Sequence, residues 1–160
     1  MTYSQKYTLV HFISPVATNT QFHMNNWPIH TTLADVFAIE RMRSDIDTKL
    51  EVLLSGISPI NTIVGEQAML GTTDVMLLDK TESLIALHTA IVDLLMKNGA
   101  VFNSPEFTRE GYLPHCTVQS SGHANRGDSI TIDSISLIDM FSDGDWQRRK
   151  VLATFLLKSN

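Results

Sequence analysis

The sequence has little of what marks the specialised protein classes. It has one cysteine, Cys116, in 160 residues. No internal disulfide can form, and a reducing compartment is permitted. No run approaches the roughly 18 consecutive apolar residues that a membrane helix needs. The opening stretch MTYSQKYTLVHFISP lacks a basic region followed by a long apolar core, so no signal peptide is expected. Together these features predict a cytoplasmic protein with no membrane partner. Positive charge is also short: 12 Lys and Arg face 17 Asp and Glu, a net charge of −5. A protein that grips long nucleic acid neutralises many phosphates and is usually basic. That class is excluded, which leaves a nucleic-acid end or a small molecule held in a local pocket.

Hydrophobic residues make up 43% and charged residues 18%, which fits a globular chain with a buried core. The length predicts one domain over 1–160. KYTLVHFISPV (6–16) and the start of PIHTTLADVFAI (28–39) read as strands. Ile39, Met42, Ile46, Leu50, Leu53 and Leu54 then recur at steps of three and four, which predicts one amphipathic helix capped by Gly56. Strands follow at 57–70 and 73–79, with Gly65 and Gly71 as the bulge or turn positions. A second helix carries the stripe Leu84, Leu87, Ile91, Leu94 and Leu95. Asp79 and Glu82 are spaced as its capping box, and Asn98-Gly99 ends it. Further strands are expected at 112–121, near 130–140 and at 150–158. GHANRGDS (122–129) reads as a polar loop and FSDGDW (141–146) as a turn. The pattern predicts an α+β fold with a mainly antiparallel sheet.

Two short stretches share a pattern: WPIHTTLADVF at 27–37 and GYLPHCTVQSS at 111–121. Each holds a His-x-Thr, with an aromatic three residues earlier and a proline just upstream. On a strand, side chains at i and i+2 share a face. His30 therefore projects with Thr32, and His115 with Thr117. Thr31 and Cys116 point the other way. If the two strands lie side by side, two imidazoles and two hydroxyls converge. A threonine hydroxyl can donate to a phosphate oxygen. Two imidazoles can divide the work of base and acid, because an unperturbed histidine titrates near 6.5. The two copies lie half a chain apart, which suggests two similar lobes.

The stretches HTTL (30–33) and HCTV (115–118) resemble the paired His-x-Thr-x signature of the two-histidine (2H) phosphoesterase superfamily, which includes the 2′-5′ RNA ligase-like proteins and RNA 2′,3′-cyclic phosphodiesterases. The resemblance implies a bilobal fold of two pseudo-symmetric lobes, each with about one main helix, around a central cleft. It implies chemistry on a ribose-linked phosphate with no metal and no cofactor. His30 and His115 would be the acid and base, and Thr32 and Thr117 would hold the phosphate. By analogy, His115 would activate water and His30 would protonate the leaving 3′ oxygen. The substrate would be an RNA terminus or a small cyclic nucleotide, handled by a monomer.

Other residues are read beside this pair. Trp27 and Tyr112 could stack an unpaired base or pack the lobes together. Arg109 and Arg126 could meet a phosphate through a charged hydrogen bond or could lie solvated on the surface. Cys116 invites a nucleophile reading, but alternation turns it away, as a small buried hydrophobe. Phe37 and Phe107 are expected in the core. Arg148, Arg149 and Lys150 read as a solvated turn or strand edge. His123 could lie at the pocket rim. His11, His23 and His88 have no partner pattern, and His88 is expected to be structural.

Three functions compete. The first is a phosphodiesterase opening 2′,3′-cyclic ends or 2′-5′ linkages. A variant of it degrades cyclic oligonucleotide signals. The second is a non-catalytic binder of phosphorylated ends, and the third is an interaction domain in which the motifs are coincidental. Zinc ranks below all of them, since no His-x-His or Glu-x-x-His accompanies the motifs.

Overall fold

The computed structural model describes residues 5–158. The chain runs β1 (Lys6–Phe12), β2 (Gln21–His23), β3 (His30–Ala38), α1 (Arg41–Ser44), α2 (Ile46–Ser55), β4 (Ile60–Leu70), β5 (Thr73–Leu78), α3 (Glu82–Lys97), β6 (Val101–Phe102), β7 (His115–Thr117), β8 (Ser129–Ile132), β9 (Ser134–Asp139) and β10 (Arg148–Leu156). Short 3-10 turns cover Pro105–Phe107, Arg109–Gly111 and Ser142–Gly144. The strands form one open sheet in the order β2-β10-β9-β1-β3-β7-β5-β4-β8, with β6 also paired to β3. Every strand pairing is antiparallel. The fold is α+β, as expected.

The sheet divides at the β3–β7 seam, but not at mid-chain. One half takes β1, β2 and β3 together with β9 and β10. The other takes β4, β5, β7 and β8. The first half is thus closed by β9 and β10, and each half carries one His-x-Thr strand at the seam. Helix α2 packs on β10, while α3 packs on β3 and β4 and so bridges the seam.

The main core lies between the sheet and these helices. Leu9, Leu33, Phe37, Ile46, Leu50, Leu54, Leu84, Ile91 and Leu95 are all fully buried there. Alternation sends Val10 and Phe12 to the opposite face, where they form a smaller cluster with Phe22, Ile138 and Val151.

Local details depart from the periodic reading. The first helix is broken at Asp45, which takes a left-handed φ of 52°. Met42 leaves the apolar stripe and is 87% exposed. Thr81, not Asp79, caps α3: its hydroxyl accepts the Leu84 N–H at 3.1 Å. Gly71 turns the β4–β5 hairpin with φ 63°, and Gly65 lies where that ladder slips, between Val64 and Gln67. The basic run is no sheet edge, because β10 lies between β2 and β9. Arg149 is buried, and its guanidinium donates to the carbonyls of Trp146 and Met140 at 2.6 and 2.9 Å.

One buried group at the seam is unsatisfied. Thr31 is fully buried, and its Oγ1 has no hydrogen-bond partner among the described residues. A buried hydroxyl without a partner costs about 1–3 kcal/mol. Thr31→Val should therefore raise stability by about 1 kcal/mol, read as a higher urea midpoint at an unchanged slope.

Candidate active site

β3 and β7 are hydrogen-bonded neighbours, and Thr31 lies opposite Cys116. The two His-x-Thr stretches therefore meet in register across the seam. Thr31 and Cys116 are both fully buried toward the core. Burial pushes the Cys116 thiol up to about 12, so it holds no thiolate at neutral pH. Thr32, His115 and Thr117 are half-buried on the opposite face, beside His30.

The two histidines are held alike. His30 Nδ1–H donates to the carbonyl of Pro28 at 2.8 Å, and His115 Nδ1–H donates to that of Leu113 at 2.7 Å. Each partner is the carbonyl two residues upstream. A carbonyl can only accept, so the proton on the neutral ring sits at Nδ1 and Nε2 keeps its lone pair. Each proline lies beside this contact, as Pro28 itself or as Pro114 next to Leu113.

Their surroundings differ. His30 is buried against Trp27, with ring centroids 4.4 Å apart, and against Phe12 at 6.2 Å. Burial lowers the His30 pKa to about 4, with the Pro28 bond opposing and the nearby His115 adding to the drop. His11 and His88 are lowered as well, mainly by burial. In the unfolded chain all three titrate near 6.5. Between the two values the unfolded chain binds more protons, so stability is full above about 6.5 and falls as pH drops. His30 alone accounts for on the order of 3 kcal/mol lost by pH 4. Urea titrations at pH 7.5, 6 and 5 should show a steadily falling midpoint, and a constant one would contradict the burial.

The other sequence candidates separate. Trp27 packs against His30 and Phe22 and is half-buried in the wall of the groove on the His30 side. Tyr112 is only 6% exposed. Its ring stacks on His88 at 3.8 Å with an interplanar angle of 1°, and its hydroxyl donates to the Thr32 carbonyl at 2.9 Å. Of the two expectations for Tyr112, packing is what is seen. Arg109 does not reach the cleft, because its guanidinium is paired with Asp93 on α3. Arg126 is exposed and lies 4.0 Å from Glu66. Neither arginine lines the groove. His123 Nδ1–H donates to the Ala124 carbonyl at 2.9 Å in the polar loop.

The groove joins the motif threonines to residues that carry no motif, Asp35 and Thr73 among them. Thr32, Asp35, Thr73 and Thr117 line the shared middle of two adjoining grooves. Asn25, Gln119 and Ser120 line the His30 side. On the other side, an opening of about 670 Å3 runs from His115 to Leu70, Leu113 and Phe107. Phe107, expected in the core, is 54% exposed. Asp35 is five residues from His30, which strict alternation would turn away. The β1–β3 ladder slips twice, around Leu9, and turns Asp35 back toward the cleft.

Among the described residues, no group of three His, Cys, Asp or Glu is placed to hold a metal ion, and no helix is long and apolar enough to cross a membrane.

No curated protein matches the sequence. Solved structures match its fold over almost the whole chain. One described as a phosphoesterase has a TM-score of 0.64 at 13% identity, covering 97% of this chain and 99% of that one. LigT of E. coli, in a complex with NADP+, has a TM-score of 0.61 at 13% identity, covering 97% and 98%. TT0787 of Thermus thermophilus has a TM-score of 0.61 at 13% identity, covering 97% and 99%. The model of the 2′-5′ RNA ligase superfamily matches residues 10–136, and those residues contain both His-x-Thr stretches and the seam that joins them. The chain belongs to the 2′-5′ RNA ligase superfamily.

Proposed function

We propose that the chain is a single-domain phosphodiesterase that opens ribose-linked phosphodiesters, 2′,3′-cyclic ends or 2′-5′ linkages, with two histidines and no metal. One observation carries this reading. Two imidazoles, each with Nδ1 tied to the carbonyl two residues upstream, share one face with two threonine hydroxyls across adjacent strands. E. coli LigT has been crystallised with 3′-AMP, ATP and phosphate, which supports a nucleotide-sized ligand here.

In the reaction, Thr32 and Thr117 donate to the non-bridging oxygens. One imidazole takes a proton from water, which attacks phosphorus. The other gives a proton to the departing ribose oxygen. When the 3′ oxygen leaves, a 2′-phosphate remains. The proposed roles follow the difference in burial. His30, with its pKa held down to about 4, is neutral at pH 7 and acts as the base. His115, the more open ring, acts as the acid. This reverses the order implied by the resemblance, in which His30 is the acid. For His30 to carry a proton at pH 7, substrate binding would have to supply on the order of 4 kcal/mol.

Two readouts test the proposal. Hydrolysis of 2′,3′-cyclic mononucleotides or a 2′-5′ dinucleotide should persist in EDTA. The kcat/KM profile should be bell-shaped, with its acidic limb near pH 4. Loss of activity in EDTA would remove the metal-free mechanism, and an acidic limb in the ordinary histidine range would restore the opposite roles. Tight binding without turnover would identify a binder.

A further inference from the structure

The groove beside His115 is apolar where it leaves the seam. Its polar lining, Thr32, Asp35, Thr73 and Thr117, is shared with the groove on the His30 side and marks the middle of the cleft. Beyond His115, the walls are Leu70, Gly71, Val75, Phe107, Gly111, Tyr112 and Leu113. Of these, Tyr112 carries a polar side-chain group, and its hydroxyl already donates to the Thr32 carbonyl at 2.9 Å. Phe107 is 54% exposed and Leu113 41%.

Phe107 is held by its backbone. Its N–H donates to the Ser104 carbonyl at 3.0 Å, and the Thr108 hydroxyl donates to the Pro105 carbonyl at 2.6 Å. The Arg109 N–H donates to His88 Nε2 at 2.9 Å, which ties the segment to α3. Gly111 closes tightly on it: a Cβ there would lie 1.8 Å from the Glu106 carbonyl oxygen. An aromatic ring is thus carried on a fixed segment, with one side open to the groove.

We propose that Phe107 is the base-stacking residue of this site, holding the nucleobase of the substrate against Leu70 and Leu113 on the His115 side. The proposal rests on the phosphodiesterase reading and deepens it. The groove is continuous with His115 and Thr117, so whatever fills it is joined to the phosphate they contact. This groove offers the more exposed aromatic face: Trp27, half-buried in the wall of the other groove, packs against His30 and Phe22, and the Tyr112 ring stacks on His88. Stacking without hydrogen-bonding side chains is tolerant of base identity. A site built to bond the base edge would instead discriminate by large factors. This subsite therefore selects for the presence of a base and hardly for which base.

The test compares four nucleoside 2′,3′-cyclic phosphates and a 2′-5′ dinucleotide with a base-free control, methyl ribofuranoside 2′,3′-cyclic phosphate. For the wild type, kcat/KM should vary only a few-fold across the four bases. Phe107→Ala should lower kcat/KM on every nucleotide roughly tenfold, mainly through KM, and leave the base-free control within about twofold. Phe107→Tyr should restore the nucleotide values. An equal loss on nucleotide and control would mean a structural role and overturn the subsite. No loss on either would also overturn it, with the reaction intact. A wild type that turns over none of these substrates would overturn the reaction and the subsite with it.

Discussion

Replacing His115 or His30 by alanine should lower kcat roughly 10²–10⁴-fold, the usual worth of one general acid or base. Removing both should cost little more than removing one, because the two proton transfers belong to one step and residues that act as a unit are not additive. His115→Ala is the cleaner probe. Its ring is half-buried, and its Nδ1–H donates to the Leu113 carbonyl. His30→Ala also leaves Trp27 and Phe12 without their packing partner, so a modest fall in stability is expected beside the loss of rate. Thermal melts would separate the two effects. Retention of more than about a tenth of the wild-type rate in either variant is incompatible with the acid–base assignment.

His88→Ala should lower stability by about 3 kcal/mol, since two backbone groups lose their partner at about 1–3 kcal/mol each. His88 lies on α3 and is 1% exposed. Its Nδ1–H donates to the Leu33 carbonyl at 2.6 Å, and its Nε2 accepts the Arg109 N–H at 2.9 Å. Its face carries the Tyr112 ring, whose hydroxyl reaches the Thr32 carbonyl. One side chain thus joins α3, the strand that carries His30 and Thr32, and the Phe107 segment. His88→Phe keeps the stack and loses both hydrogen bonds, so the difference between the variants reports the stack, worth about 1 kcal/mol. Urea unfolding measures both. A cost under about 0.5 kcal/mol for His88→Ala would show that the network relaxes without it. In the folded variant, KM should rise more than kcat falls, because the segment that carries Phe107 is loosened.

The pairing of His30 with Thr32 and of His115 with Thr117 was legible because it depends only on the two-residue period of a strand. The burial of Thr31 and Cys116 followed from the same alternation. Asp35 was not legible, since a ladder slip is fixed by the partner strand β1 and leaves no local mark. Arg109 stayed open between cleft and surface because its partner, Asp93, lies on a helix 16 residues upstream. Phe107 read as core because an exposed aromatic has no periodic signature. The helix ends were misplaced for a smaller reason: Thr81 and Asp79 can both cap, and only backbone geometry chooses between them.

The way the ends of the chain share one half of the sheet has a consequence for how the molecule assembles. β1 is flanked by β3 and by β9, which begins at Ser134, and β10 closes that side. During synthesis the strand that carries His30 therefore waits on an incomplete sheet until the last strands emerge. The half made of β4, β5, β7 and β8 lies within Ile60–Ile132 and can pair earlier. Such distant pairings are closed against chain entropy, which places folding in the slow range of milliseconds to seconds. On this pairing the His115 half can form first, and the half that carries His30 closes only after β9 and β10 have emerged.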